Sequence, residues 1–357
     1  LAIDNLATSE TSIWTLRNCI CALLWALPLG HAHLGAAQPL PPAGAEPSGT
    51  TVSGISSGGY MAVQFHIAHS SRVRGVAALA AGPYYCAQGS AVMAVNNCMR
   101  PNEQWPVPSV KVLVAATETL AGLGLVDTTS SLKRARVWLF SGGSDATVDR
   151  RVVESLHRYY LHYVPAEQVA FVRDVDAGHA MVTADYGNGC GVTRAPYIND
   201  CDFDAAAELL THLYGPLKAP APRPSGTLQR FDQRPFAAPS AYSISMANEG
   251  QVYIPAACAK GGCRVHAAFH GCLQAGDEFP RHAGYNRWAD TNRLIVLYPQ
   301  AIARFGWGPW PWPTSFVYNP NGCWDWWGYT NAEYHTQRGA QIRAVKAMLD
   351  RLGQRPD

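Results

Sequence analysis

Charge is scarce in this sequence. The 28 basic and 26 acidic side chains make up 15% of 357 residues, and the formal net charge is only +2. A nucleic-acid partner usually leaves a strong basic footprint, so none is expected. Long apolar runs are scarce as well. The run from Cys19 to Leu29 is too short to span a bilayer comfortably, which argues against stable membrane insertion. Paired C-x-x-C motifs are missing, so a structural zinc site is not expected. No internal repeat is visible.

What is present suits a globular chain. Hydrophobic residues make up 48%, and the length allows one large core or two modest ones. The sequence holds 11 Trp, 16 Tyr and 12 His, enough for an aromatic surface or cleft. Near the start, Arg17 precedes the Cys19–Leu29 run, and a small, Pro-rich stretch follows. A basic flank, a short apolar core and small residues after it make a secretory signal, expected over residues 1–37 with cleavage after Ala32 or Ala37. Removing it removes Cys19 and Cys21 and leaves eight cysteines. An even count in an exported chain implies disulfides. Close neighbours in sequence pair as Cys86–Cys98, Cys190–Cys201 and Cys258–Cys263, which leaves Cys272 with Cys323.

Strands and helices alternate. "TTVSGI", "VRGVAALAAG", "ARVWLFSGG" and "QVAFVRDV" read as strands, with helices from Gly59 to about His69 and over "DRRVVESLHRYYLHYV" and "FDAAAELLTHLYG". This alternation predicts a mostly parallel sheet with helices on both faces. A Pro-rich connector follows over 216–226. Beyond it, "AYSISMANEGQVYIPAAC" reads as a hairpin, "RVHAAFHG" and "RLIVLYPQ" as buried strands, and the last segment as an amphipathic helix with Ile342, Val345, Leu349 and Leu352 in phase.

Residues 54–58 read G-x-S-x-G, between a strand and a helix. A nucleophile elbow places its serine on a sharp, strained turn of this kind, so Ser56 is the expected nucleophile. Ser53 and Ser57 lie nearby but off the central position. A serine hydroxyl needs a base to take its proton, and the order in such hydrolases is serine, acid, histidine. Asp145 follows the "ARVWLF" strand in a Gly/Ser turn, and His179 follows the next strand. Loops at the carboxyl ends of parallel strands hold the sites of such sheets, so Ser56, Asp145 and His179 can converge. Asp176 is the rival acid. Asp149 reads as a helix N-terminal residue, and His157, His162 and His212 fall inside helical patterns. The oxyanion needs two donors, expected from the amides of Ser57 and of Cys272 in the His270-Gly271-Cys272 loop. That loop normally precedes the nucleophile. Moving residues 225–357 in front of residue 50 restores the usual order, so the chain reads as circularly permuted. One catalytic domain is then expected over 48–355, with the connector on its surface.

Taken together, "SGISSGGYMA", "AAGPYYCA", "FSGGSDATV", "AGHAMVTADYG", "NDCDFDAA", "HGCLQ", "GYNRWADTN", "LYPQA" and "NPNGCWDWWGY" resemble extracellular poly(3-hydroxybutyrate) depolymerases of the permuted, single-domain kind. The resemblance spans roughly residues 48–352. It implies secretion, an α/β-hydrolase fold, and ester hydrolysis with no metal or other cofactor. It places the nucleophile on Ser56, the acid on Asp145, the base on His179 and the oxyanion amides on Ser57 and Cys272, and it implies the same four disulfides. The expected partner is an aliphatic polyester or its oligomers, gripped by aromatic residues, with Tyr60, Trp307, Trp324 and Trp326 as candidates. The Pro-broken segment "FGWGPWPWPTS", 305–315, has no counterpart in the resemblance and predicts a loop with exposed aromatics. Two rival readings remain: a feruloyl or acetyl esterase acting on plant polysaccharide, and a non-catalytic polymer-binding protein.

Overall fold

The computed structural model describes residues 37–307 and 316–356, and the side chains of Trp307 and Phe316 lie outside the description. The leader expected over 1–37 falls outside it except for Ala37, and so does most of the Trp/Pro segment. An eight-stranded sheet organises the rest. Its centre is β1 (Glu46–Ile55), followed by α1 (Ser57–Ala68) and β2 (Val73–Leu79). The chain then makes α2 (Ala91–Asn96) and α3 (Val110–Gly122) before β3 (Arg136–Phe140), α4 (Arg150–Tyr163) and β4 (Val169–Val172). A small sheet of β5 (Met181–Thr183), β6 (Asn188–Gly189) and β7 (Ile198–Asp200) leads into α5 (Ala205–Tyr214). The other half of the main sheet comes from β8 (Thr227–Asp232), β9 (Glu249–Ile254), β10 (Arg264–Phe269) and β11 (Leu294–Tyr298). Between β10 and β11 lie α6 (Glu278–His282) and α7 (Tyr285–Thr291). A two-stranded hairpin, β12 (Arg304–Trp307) with β13 (Phe316–Asn319), precedes the final helix α8 (Ala340–Gly353).

The strand order is β4-β3-β2-β1-β10-β11-β9-β8, parallel from β4 through β11 and antiparallel at the β9 and β8 end. Side chains alternate between the faces with period two. On β3, Val137 and Leu139 enter one apolar cluster while Trp138 and Phe140 enter the other. On β11, Ile295 and Leu297 face the first cluster, and Leu294, Val296 and Tyr298 face the second. Both faces are therefore covered, as a sheet of near-continuous apolar strands requires. Helices α1, α4 and α8 supply the first cluster; α5 and α7 supply the second. Every residue of α1 is buried, so that helix is fixed against the sheet along its whole length.

Two expectations change. The partner of β9 is "TLQRFD", not "AYSISM", which holds only a short 3-10 turn at Tyr242–Ile244. An edge strand needs one apolar side, and β8 buries only Phe231 fully, so its pattern is faint. The packed chain also begins before residue 48. Leu40, Ala43 and Ala45 are buried, and the amides of Ala43 and Ala45 bond the carbonyl of Leu352 at 3.1 and 3.0 Å. The Pro-rich connector straps onto α7, where Ser225 and Gly226 donate their amides to Asp290 at 3.0 Å each. From Ala37 on, the chain forms a single compact unit.

Candidate active site

Four parallel strands deliver the candidate residues at their carboxyl ends. Ser56 follows β1, the Asp145 turn follows β3, the His179 loop follows β4, and the Cys272 loop follows β10. Ser56 sits at φ 56°, ψ −125°, a conformation that L-residues avoid and that surrounding structure must impose. The flanking glycines explain how the turn closes. A Cβ on Gly54 would lie 2.2 Å from the carbonyl oxygen of Gly58, and one on Gly58 would lie 2.3 Å from that of Phe269. Neither position admits a side chain without moving backbone. Ser53 is fully buried and bonds His266 and Tyr285, both at 2.7 Å. The Ser57 hydroxyl is buried as well. Ser56 is the serine of the three that lines the cavities described below.

His179 Nδ1 lies 2.8 Å from Asp145 Oδ2. The other carboxylate oxygen, Oδ1, accepts the amides of Thr147 and Val148 at 2.8 and 3.0 Å. With both backbone donors committed to Oδ1, Oδ2 is left for the imidazole, which fixes a proton on Nδ1 and a lone pair on Nε2. The His179 amide is anchored on Thr193 Oγ1 at 2.8 Å. The rival acid, Asp176, instead packs its Oδ1 against Gly143. His157 packs on Phe171, His162 on Tyr163, and His212 bonds the Gln168 carbonyl, all away from Ser56.

The Ser57 amide opens α1, and the Cys272 amide ends the β10 loop. Neither has a hydrogen-bond partner among the described residues. The loop is held from three sides. His270 Nδ1 donates to the Gly271 carbonyl at 2.7 Å while its Nε2 accepts the Ala301 amide at 3.0 Å. Burial lowers the pKa of this histidine to about 4, so it is neutral and its tautomer is set. Gln274 Oε1 accepts the Gly271 amide at 2.7 Å, and its Nε2 donates to the Tyr197 carbonyl at 2.8 Å. The Cys272–Cys323 disulfide ties the loop to the segment before Trp324. The other pairs are Cys86–Cys98, Cys190–Cys201 and Cys258–Cys263.

Two cavities meet at Ser56 and Cys272. One, of about 300 Å³, is mostly apolar, with Tyr60, Val95, Met99, Val148, Trp326 and Trp327 in its wall. The other, of about 220 Å³, contains His179 and is lined by Thr193, Tyr197, Gln274 and Asn321. Tyr60 and Trp326 thus face the apolar cavity, their rings stacked 3.9 Å apart. The Tyr60 hydroxyl donates to the Cys98 carbonyl. Trp324 lines neither of these two cavities: it is fully buried, its ring set edge-on to Phe269 at 5.1 Å. It packs beneath the β10 loop as core, so its candidacy as a substrate contact is withdrawn. The backbone of Trp307 ends β12, and its side chain lies outside the description. Trp327, one of the tryptophans of "NPNGCWDWWGY", does line the apolar cavity; Met99, Val148 and Gln274 sit in loops and turns and carry no periodic signal.

Comparison with known proteins gives a consistent group. The chain is 43% identical over 334 residues to a poly(3-hydroxybutyrate) depolymerase of Delftia acidovorans, covering 91% of this chain and 63% of the relative. It is 33% identical over 341 residues to a polyhydroxybutyrate depolymerase of Talaromyces funiculosus, covering 92% of this chain and 96% of the relative. Among solved structures it resembles a PHB depolymerase from Penicillium funiculosum, with a TM-score of 0.78 and 31% identity over 88% of this chain and 99% of the other. A serine-to-alanine variant of PHB depolymerase complexed with an R3HB trimer matches with the same figures, TM-score 0.78 and 31% identity. No family model matches the chain.

Proposed function

We propose a catalytic cycle from this premise: the chain belongs to the polyhydroxybutyrate depolymerase family. The observation that carries the proposal is the strained Ser56 beside the Asp145–His179 pair, at the junction of two chemically different cavities. Ser56 Oγ attacks an ester carbonyl while His179 Nε2 takes its proton. The amides of Ser57 and Cys272 receive the developing oxyanion. His179 then returns the proton to the departing alkoxide. Water, activated in turn by His179, hydrolyses the acyl-enzyme.

The leaving oxygen must reach His179, so the leaving chain lies in the cavity that contains it. The acyl chain then occupies the apolar cavity of Tyr60, Trp326 and Trp327. An aliphatic polyester with ester groups at regular intervals fits a pair of cavities of this polarity, since both fragments are mostly apolar with hydrogen-bonding carbonyls. Solid polymer requires a contact wider than the cleft. The cavity walls include Val95, Leu273 and Tyr318, which are 51%, 56% and 61% exposed, and Val92 lies one turn from Val95 at 57%. Exposed apolar clusters of this kind mark binding surfaces. Four disulfides suit an oxidising compartment, and among the described residues no helix is long and apolar enough to cross a membrane. The strand order supports the permuted reading: counted from β8, the sheet runs first, second, fourth, third, then fifth to eighth.

A fluorophosphonate probe with a soluble hydroxybutyrate trimer tests the cycle. Labelling on the peptide that carries Ser56 is expected, slowed while excess trimer is present. A folded protein that takes no label there, or hydrolyses a feruloyl ester and not the trimer, overturns it. Val92→Asp tests the surface separately. Adsorption to polymer film should fall about tenfold, the value of one buried valine, while the trimer rate stays unchanged; a film signal equal to wild type would remove α2 from the contact.

A further inference from the structure

The aromatic wall of the apolar cavity belongs to a segment with no regular structure, residues 323–330. No ladder or helix holds it, yet Trp326 stacks on Tyr60 with an interplanar angle of 9°, and Trp327 meets Trp326 edge-on at 5.6 Å. One side chain accounts for this order. Asp325 Oδ1 accepts the amides of Gly328 and Tyr329 at 2.7 and 3.0 Å. Oδ2 accepts the amide of Thr330 at 2.8 Å and also its hydroxyl. The chain between Asp325 and Thr330 is wound around its own carboxylate, with Gly328 at φ 90° making the reversal.

The main chain of Asp325 is clamped as well. Its carbonyl accepts Gln64 Nε2 of α1 at 2.9 Å, and its amide donates to Gln341 Oε1 of α8 at 2.8 Å. Helix α1 begins at Ser57, whose amide is a proposed oxyanion donor. The aromatic wall is thereby registered to the element that carries the catalytic turn. Asp325 is 2% exposed, and none of its four partners is a cation. Burial pushes its carboxyl above the ordinary range, and the four donors oppose that. A buried charge without a counter-ion is a costly way to hold a loop, since apolar packing often serves stability as well or better. What the carboxylate supplies is a single geometry for four backbone and hydroxyl donors, the kind of support that a binding wall needs.

We propose that Asp325 is the positioning residue of the acyl cavity, fixing Trp326 and Trp327 against Tyr60 and so setting which acyl chains the enzyme accepts. The proposal rests on the acyl-cavity reading above. Asp325→Asn tests it, because an amide has only one acceptor atom and its NH2 must face two of the former donors. Hydrolysis of p-nitrophenyl hexanoate, whose chain reaches the wall, is expected to show KM raised roughly tenfold, the cost of the Thr330 amide left unpaired while the Thr330 hydroxyl turns to accept from the new NH2. The kcat should hold, and p-nitrophenyl acetate, whose chain is too short to reach the wall, should be cleaved as by wild type. The near-ultraviolet circular dichroism of the stacked aromatics should weaken in parallel. Thr330→Ala removes one donor and spares the carboxylate; it covers the case in which Asp325→Asn does not fold, with a shift of about threefold in the same KM. Equal losses on hexanoate and acetate, or no change on either, overturn the proposal. Wild type inert on both esters would instead sink the catalytic reading itself, so the two failures are distinguishable.

Discussion

Asp145→Asn is expected to lower kcat about ten-thousandfold with the fold intact, the penalty seen when a triad histidine is held in the wrong tautomer. The reason lies in the two oxygens of Asp145. Oδ1 accepts two backbone amides, from Thr147 and Val148. The side chain is only 2% exposed, so water cannot replace a lost partner. In the asparagine variant the single oxygen must stay with those amides, because an NH2 group there would oppose two buried N–H donors. The Asn nitrogen then faces His179 as a donor. The imidazole can meet it only by accepting at Nδ1, which leaves its proton on Nε2, the atom that must receive the Ser56 proton.

The measurement is kcat for a soluble ester beside the melting temperature, with Asp176→Asn as the companion. Asp176, the rival acid in the sequence, lies three residues before His179. Its packing against Gly143 gives it no imidazole to orient, so its variant should stay within about threefold of wild type, an ordinary surface effect. A larger loss in Asp176→Asn than in Asp145→Asn would transfer the acid role. A low activity with a melting point far below wild type would show that Asp145 acts through the fold rather than through the tautomer.

Why some residues were legible before any coordinates, and others not, follows from what each kind of signal encodes. The buried strands announce themselves because both faces are apolar: on β2 and β11 nearly every residue enters one cluster or the other. The glycines around Ser56 are legible because backbone passes within 2.3 Å of where their side chains would sit, a constraint that no other residue satisfies. The edge strand β8 was missed because one side faces solvent and only Phe231 is fully buried. Three neighbouring tryptophans show a different limit. Trp324, Trp326 and Trp327 have one chemistry and no periodicity, yet Trp324 is core and the other two line the cavity. Trp324 is turned inward against Phe269, while Trp326 and Trp327 are directed by a carboxylate gathering nearby backbone donors, and hydropathy registers neither event. Gln274 escaped for the same reason, since its value lies in which amide and carbonyls it joins.

Acid should unfold this protein well before its surface carboxylates are exhausted. Among the described residues three histidines are completely buried: His66 bonds the Tyr160 hydroxyl at 3.0 Å, His266 sits between Thr51 and Ser53 at 2.7 Å from each, and His270 holds the Gly271–Cys272 loop. Burial lowers their pKa values to about 3, about 3 and about 4. Above the unfolded value of 6.5 both states are neutral and the three contribute no pH dependence. Below it the unfolded chain takes up protons that the folded chain refuses, so stability falls with pH until the folded values are reached. At pH 5 each histidine costs about 2 kcal/mol and the three about 6 kcal/mol, comparable with the whole stability of many domains. His69 and His335, lowered to about 4 by burial, add in the same direction. His157 and His212 are lowered by burial as well, and Asp325 acts oppositely, since its raised pKa lets the folded state bind a proton first, but it is one group against these seven. Guanidinium unfolding with the disulfides intact should therefore show stability dropping steeply between pH 6.5 and 5. His66→Phe isolates one contribution, because the Nε2 of His66 has no partner among the described residues and a phenyl ring is close to the imidazole in shape. The variant should be about 1–3 kcal/mol less stable than wild type at pH 7, because the buried Tyr160 hydroxyl loses its partner, and that gap should close by about 2 kcal/mol at pH 5. A slope identical to wild type would assign the acid lability to groups other than the buried imidazoles.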